Sequence, residues 1–226
     1  MKRANFNFES MRLDQSSFVY ELETPDPLAM KNDVYRGVLK LDVGPGGDID
    51  FGENATTDAV LNINFVLDVA HEFSIQFANA NPQVSLLPVG GWHQWVDYNR
   101  APKRLQQELP FSLTSSSEFS IKMRCEHDAN GRCGIRDQGA GTVVPVDVDV
   151  TMPGMRNVAT GAAAISTPLV SEQSGLTAPR FSPDSYLQQR PSKLHFSTRG
   201  SPLDEMLKAP GSKWKGDVTV IFDSDP

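Results

Sequence analysis

The sequence predicts an all-β protein built as a sandwich, and three observations carry that prediction. Strict alternation of apolar and polar residues, the mark of a strand with one buried face, recurs in seven runs. Segments rich in Gly, Pro, Asn and Ser separate the runs, the spacing of a sandwich rather than of a strand–helix–strand fold. Helical periodicity is scarce.

Along the chain, residues 6–8 and 18–22 are short candidate strands, the second through Phe18, Tyr20 and Leu22. Tyr35, Gly37, Leu39, Leu41 and Val43 alternate with Arg36, Lys40 and Asp42. Val43-Gly44-Pro45-Gly46-Gly47-Asp48 is a turn cluster, and a polar stretch follows it. A linker is therefore expected at 44–57, between an N-terminal segment, 1–43, and a main domain, 58–226. The first segment holds too few strands to be an independent sandwich. It reads as the tail of a larger N-terminal domain, or as a segment that pairs with the main one. Leu61, Ile63, Phe65, Leu67 and Val69 form a long strand, and Phe73, Ile75 and Phe77 resume after His71-Glu72. Phe119, Ile121, Met123 and Cys125 alternate with Ser120, Lys122 and Arg124. Val144, Val146, Val148, Val150 and Met152 form the clearest run, Leu194 and Phe196 a short one, and Val218, Val220 and Phe222 the last. Two short helices are expected, at 101–108 and at Ser201–Leu207, where Pro202 suits a first helical position. Residues 155–191, rich in Ala, Ser, Thr, Gly and Pro, read as a long irregular connector.

Composition excludes several classes. The chain has 226 residues, enough for a real core. Its formal charge of −7 and pI near 5.1 argue against a general nucleic-acid binder and against attraction to an anionic membrane surface. No apolar run approaches the length of a membrane helix. Lys2 and Arg3 have no apolar stretch behind them, so the start is not a signal peptide. Either the protein is cytosolic or an export signal has been removed.

Cys125 and Cys133 frame a loop whose Asn130-Gly131 is a strong turn signal. An even cysteine count in a loop-rich β chain favours one disulfide and an oxidising compartment, with two buried thiols as the alternative. Zinc requires four ligands and only His127 lies nearby, so no metal is expected.

Candidate catalytic sets are sparse. His71, His93, His127 and His195 are not in zinc-protease spacing, and no G-x-S-x-G elbow occurs. Gly44-Pro45-Gly46-Gly47 lacks the Lys-Ser/Thr of a phosphate loop and reads as a linking turn. Asp147 and Asp149 share one strand face and could pair as acid and base or hold a cation, but solvated carboxylates on a sandwich face are the simpler reading. Trp92 and Trp95 are the more informative pair, either as sugar-stacking rings or as packing residues. No cofactor and no enzymatic activity are expected.

Several stretches together resemble a known family. They are Gly91-Trp92 with Trp95, Leu109-Pro110-Phe111 with Phe119-Ser120-Ile121-Lys122, Cys125 with Cys133-Gly134-Ile135-Arg136, and Val144-Pro145-Val146-Asp147-Val148. Asp204-Glu205-Met206-Leu207 and the closing Gly216-Asp217-Val218-Thr219-Val220-Ile221-Phe222-Asp223 complete the set. In this order they look like the C-terminal pilin domain of tip subunits (adhesins) of chaperone–usher fimbriae of the alternate colonisation-factor type. The resemblance covers about residues 35–226, with the end of an adhesin domain running into the linker.

It implies an incomplete immunoglobulin-like sandwich, one strand short, with an apolar groove. A periplasmic chaperone fills the groove first, and the extension of a neighbouring pilin subunit replaces it at the outer-membrane usher. Val218, Val220 and Phe222 are then expected to line the groove, with Leu61, Ile63 and Phe65 as the opposite wall. The protein is expected on the cell surface, in a fimbrium, after transit through the periplasm. A host receptor would be met by a fuller N-terminal domain. Alternatively, Phe18, Tyr20 and Leu22 could make the N-terminal segment a donor strand, or the domain could be a secreted carbohydrate-binding module using Trp92 and Trp95.

Overall fold

The computed structural model describes residues 17, 19–52 and 58–224, with residues 6–8, Phe18 and the end of the expected linker, 53–57, outside that range. Strands β1 (Asp33–Asp42) and β2 (Val60–Val69) pair antiparallel along their whole length, Asp33 opposite Val69 and Asp42 opposite Val60. They form a two-stranded ribbon of their own. The segment expected to link two domains therefore lies between paired strands. Its first turn is tight: Asp48 accepts the Asp42 N–H, and a Cβ at Gly47 would lie 2.6 Å from the Asp42 carbonyl oxygen. Only glycine fits that approach. Residues 19–26 form no strand among the described residues, and Tyr20 and Leu22 are exposed.

The chain then continues through β3 (Phe73–Phe77), β4 (Leu87–Pro88), helix α1 (His93–Tyr98), β5 (Arg104–Ser115) and β6 (Phe119–Cys125). Next come β7 (His127–Asp128), β8 (Cys133–Asp137), β9 (Val143–Pro145), β10 (Asp147–Thr151), β11 (Met155–Asn157), β12 (Thr167–Pro168) and β13 (Arg180–Pro183). The last elements are β14 (Leu187–Arg199), helix α2 (Ser201–Leu207), β15 (Trp214–Lys215) and β16 (Val218–Ser224).

Two sheets make an immunoglobulin-like sandwich. One runs β12-β10-β14-β5-β3, with β4 also on β5; the other runs β11-β13-β6-β16. Alternation decides which side chains meet between them. Leu113, Val148, Val150 and Leu194 from the first sheet join Phe119, Ile121, Met123 and Phe181 from the second in one core. A third sheet, β15-β8-β7 with β9 on β8, closes one end.

Three expectations change. Residues 101–108 are not a helix; from Arg104 they enter β5, which pairs with β14 from Arg104 to Leu113. The Ala-Pro start and the run of Gln and Glu favour a helix locally, but long-range pairing overrides that weak preference. The helix lies upstream instead, at His93–Tyr98. Residues 155–191 contain β11, β12 and β13, and Leu194 and Phe196 belong to a 13-residue central strand. The run from Val144 to Met152 is broken at Val146, whose N–H donates to the Cys133 carbonyl while β9 pairs with β8 and β10 with β14. Pro145 stands at this switch of sheets, where its missing donor is tolerated. Helix α2 matches its expected bounds, with Pro in its first turn.

Candidate functional site

The most distinctive feature of the sandwich is its open side. Strand β16 is bonded to β6 along one edge, Val218 opposite Cys125 and Ser224 opposite Phe119. Strand β3 is bonded only to β5, Phe73 opposite Ser115 and Phe77 opposite Phe111. Each ends its sheet, so among the described residues neither has a strand on its other edge.

The side chains of these two edges converge. The Phe222 ring lies 5.8 Å from Phe111 and 6.3 Å from Phe119. Phe77 lies 5.5 Å from the same Phe111, and Phe73 lies 4.9 Å from the same Phe119. Phe111 and Phe119 are buried, whereas Phe73, Ile75, Phe77, Val218, Val220 and Phe222 are only partly buried against the core. The edges of β3 and β16 thus pack on the same two phenylalanines, Phe111 and Phe119. Beyond β3, Val84 and Leu86 continue the apolar edge toward a cavity of about 810 Å³ that also touches Gly216, just before β16.

Val218, Val220 and Phe222 share one face of β16, partly buried against the core. Leu61, Ile63 and Phe65 do not join them: they sit on the half-buried face of β2, whose partner is β1, and Tyr20 packs edge-on to Phe65 at 6.3 Å. The strand that shares the Phe111 and Phe119 rings with β16 is β3, through Phe77 and Phe73. The sequence marks that run as an alternating strand, but alternation does not say which strand ends a sheet.

Cys125 and Cys133 form a disulfide with Cα atoms 5.2 Å apart, joining the end of β6 to the start of β8. Asn130 and Gly131 take positive φ, 58° and 77°, and the Ala129 N–H donates to the Arg132 carbonyl at 2.8 Å. This is the tight hairpin that Asn-Gly favours.

Asp147 and Asp149 do not act as a pair. Asp147 is bound by Arg132, and Asp149 faces His195 at 3.6 Å across β10 and β14. No cluster of metal-ligating side chains occurs among the described residues. Trp92 and Trp95 stand at the start of α1 with ring centres 5.7 Å apart; Trp92 is 36% exposed, so it does not belong to the core.

At the opposite end, His71 ties the N-terminal segment to the sandwich. Its Nε2 lies 2.6 Å from the Met30 carbonyl, its Nδ1 lies 3.2 Å from Ser116 Oγ, and its N–H donates to Asn32 Oδ1. Tyr186 donates to Glu72 at 2.6 Å, and that bond raises the Tyr186 pKa. On the outer face of β6, hydrogen bonding by Arg124 pulls the Glu172 carboxyl below its usual range, and Lys122 adds to it.

No family profile and no curated protein sequence matches the chain. Among solved structures, one of a chaperone–tip adhesin complex in CFA/I fimbriae biogenesis aligns with a TM-score of 0.43 and 12% identity. The alignment covers 86% of this chain and 53% of that one, so this chain spans about half its length. The likeness is too loose to transfer a role.

Proposed function

We propose that the chain is a subunit of a bacterial surface fibre, whose sandwich accepts a strand from another protein. A periplasmic chaperone supplies the strand first; the extension of a neighbouring pilin subunit supplies it in the fibre, at the usher. One observation carries the reading: the two strands that end the sandwich sheets, β3 and β16, present partly buried apolar side chains that pack on the same two phenylalanines. An apolar strand edge without a partner is an aggregation template, so a chain that exposes two needs a third strand. The order of motifs described above, closing on Gly216–Asp223, supports a fimbrial partner in particular.

In this reading the sandwich begins near Phe73. The β1–β2 ribbon belongs to an N-terminal body that the fibre carries, and His71 and Glu72 form the junction. The donor is an extended peptide with apolar residues at alternate positions, each anchor contributing about 1.5–3 kcal/mol before ordering costs.

The test is thermal unfolding with a synthetic N-terminal extension of a fibre subunit. At about 100 times Kd the peptide adds about 2.7 kcal/mol, or roughly 5–10 °C for a domain of this size. A version with its alternate apolar residues replaced by Asp is expected to give no shift. Equal shifts, or none with any extension, would overturn the reading.

A further inference from the structure

The geometry points to a second site, for a carboxylated sugar ring, in a cavity beside α1. Its volume is about 340 Å³, the lower part of the range usual for small-ligand sites. Trp92, Gln94, Trp95, Arg100, Lys103 and Arg104 line it, and no carboxylate does. Trp92 and Trp95 supply aromatic surface for the C–H face of a pyranose.

The cations are the second, independent observation. The chain carries a net charge of −7, yet three basic side chains gather here with no ion pair among the described residues. Some basic side chains elsewhere are paired, as Arg132 is by Asp147, Arg156 by Asp184 and Lys193 by Glu108. A guanidinium holds a carboxylate through two parallel hydrogen bonds. A neutral sugar would use the tryptophans and leave the charge unanswered.

The experiment is a titration followed by intrinsic tryptophan fluorescence and repeated by calorimetry. It uses sialyllactose, a glucuronic-acid disaccharide and neutral lactose. Saturable binding of either acidic sugar, with lactose at least about tenfold weaker, is the expected result. Sialyllactose alone, or the uronate alone, identifies the source of the carboxylate; both binding supports the shared chemistry. Arg100→Gln and Lys103→Gln, exposed substitutions that leave the core untouched, are each expected to weaken binding about tenfold. Raising salt is expected to weaken the acidic sugars only. Lactose binding as tightly as the acidic sugars, acidic-sugar binding unchanged in both variants, or no binding at all would overturn the inference. Strand acceptance is read by the peptide-induced thermal shift, so the two proposals fail separately.

Discussion

Phe222 concentrates the argument at the scale of single residues. It packs on both Phe111 and Phe119, yet it is only partly buried. Phe222→Ala is expected to cost about 2–3 kcal/mol in the free protein, less than a fully enclosed phenylalanine. It should also shrink the peptide-induced thermal shift, whereas substituting the exposed Thr219 on the same strand should do neither. Glu172 offers a prediction in pH. Its carboxyl is lowered in the fold by Arg124, so the stability it contributes is present above the unfolded carboxylate value and lost as pH falls through the folded one. Wild type and Glu172→Gln should therefore differ at neutral pH and converge in acid, a comparison made by thermal melts. The effect should be small, because the pair is exposed.

The elements show why local pattern reads some strands and misreads others. Strand β6 is legible because Phe119, Ile121, Met123 and Cys125 are buried and their neighbours are not. Strand β5 is not legible, because Gln107 and Pro110 interrupt its alternation and its first residues favour a helix. Pro110 is tolerated because it sits where β5 has only β14 beside it; β3 ends opposite Phe111 and β4 opposite Gln106. The disulfide belongs to this scale too. It closes a loop of 8 residues in sequence separation, for which loop entropy predicts about 2.5 kcal/mol. Reduction, or Cys133→Ser, is expected to lower the denaturant midpoint accordingly without unfolding the sandwich at room temperature, checked by urea titration.

Across the whole molecule, the N-terminal segment and the sandwich meet through few polar groups. His71 bridges Met30 and Ser116, and the Ser116 hydroxyl accepts the Glu72 N–H at 2.9 Å. Ser116→Ala removes both hydroxyl contacts while leaving the core cluster intact. It is expected to raise proteolytic cleavage around residues 24–30 with little change in the main unfolding transition, read by limited digestion and calorimetry. A sandwich that melts earlier by the same margin would show that the junction and the core form one cooperative unit.

Period-two alternation and turn chemistry act over a few residues, so the sequence alone determined the all-β class, most strands, the Asn130-Gly131 hairpin and the final apolar strand. Which strands become neighbours depends on contacts between residues far apart in the chain. Only the tertiary structure therefore paired β1 with β2 around the expected linker, drew residues 101–108 into a sheet, and packed β3 rather than β2 on the same two phenylalanines as β16. A strand's own pattern records which face it buries; its edge is satisfied by backbone groups that every residue carries alike, and so leaves almost no trace in the sequence.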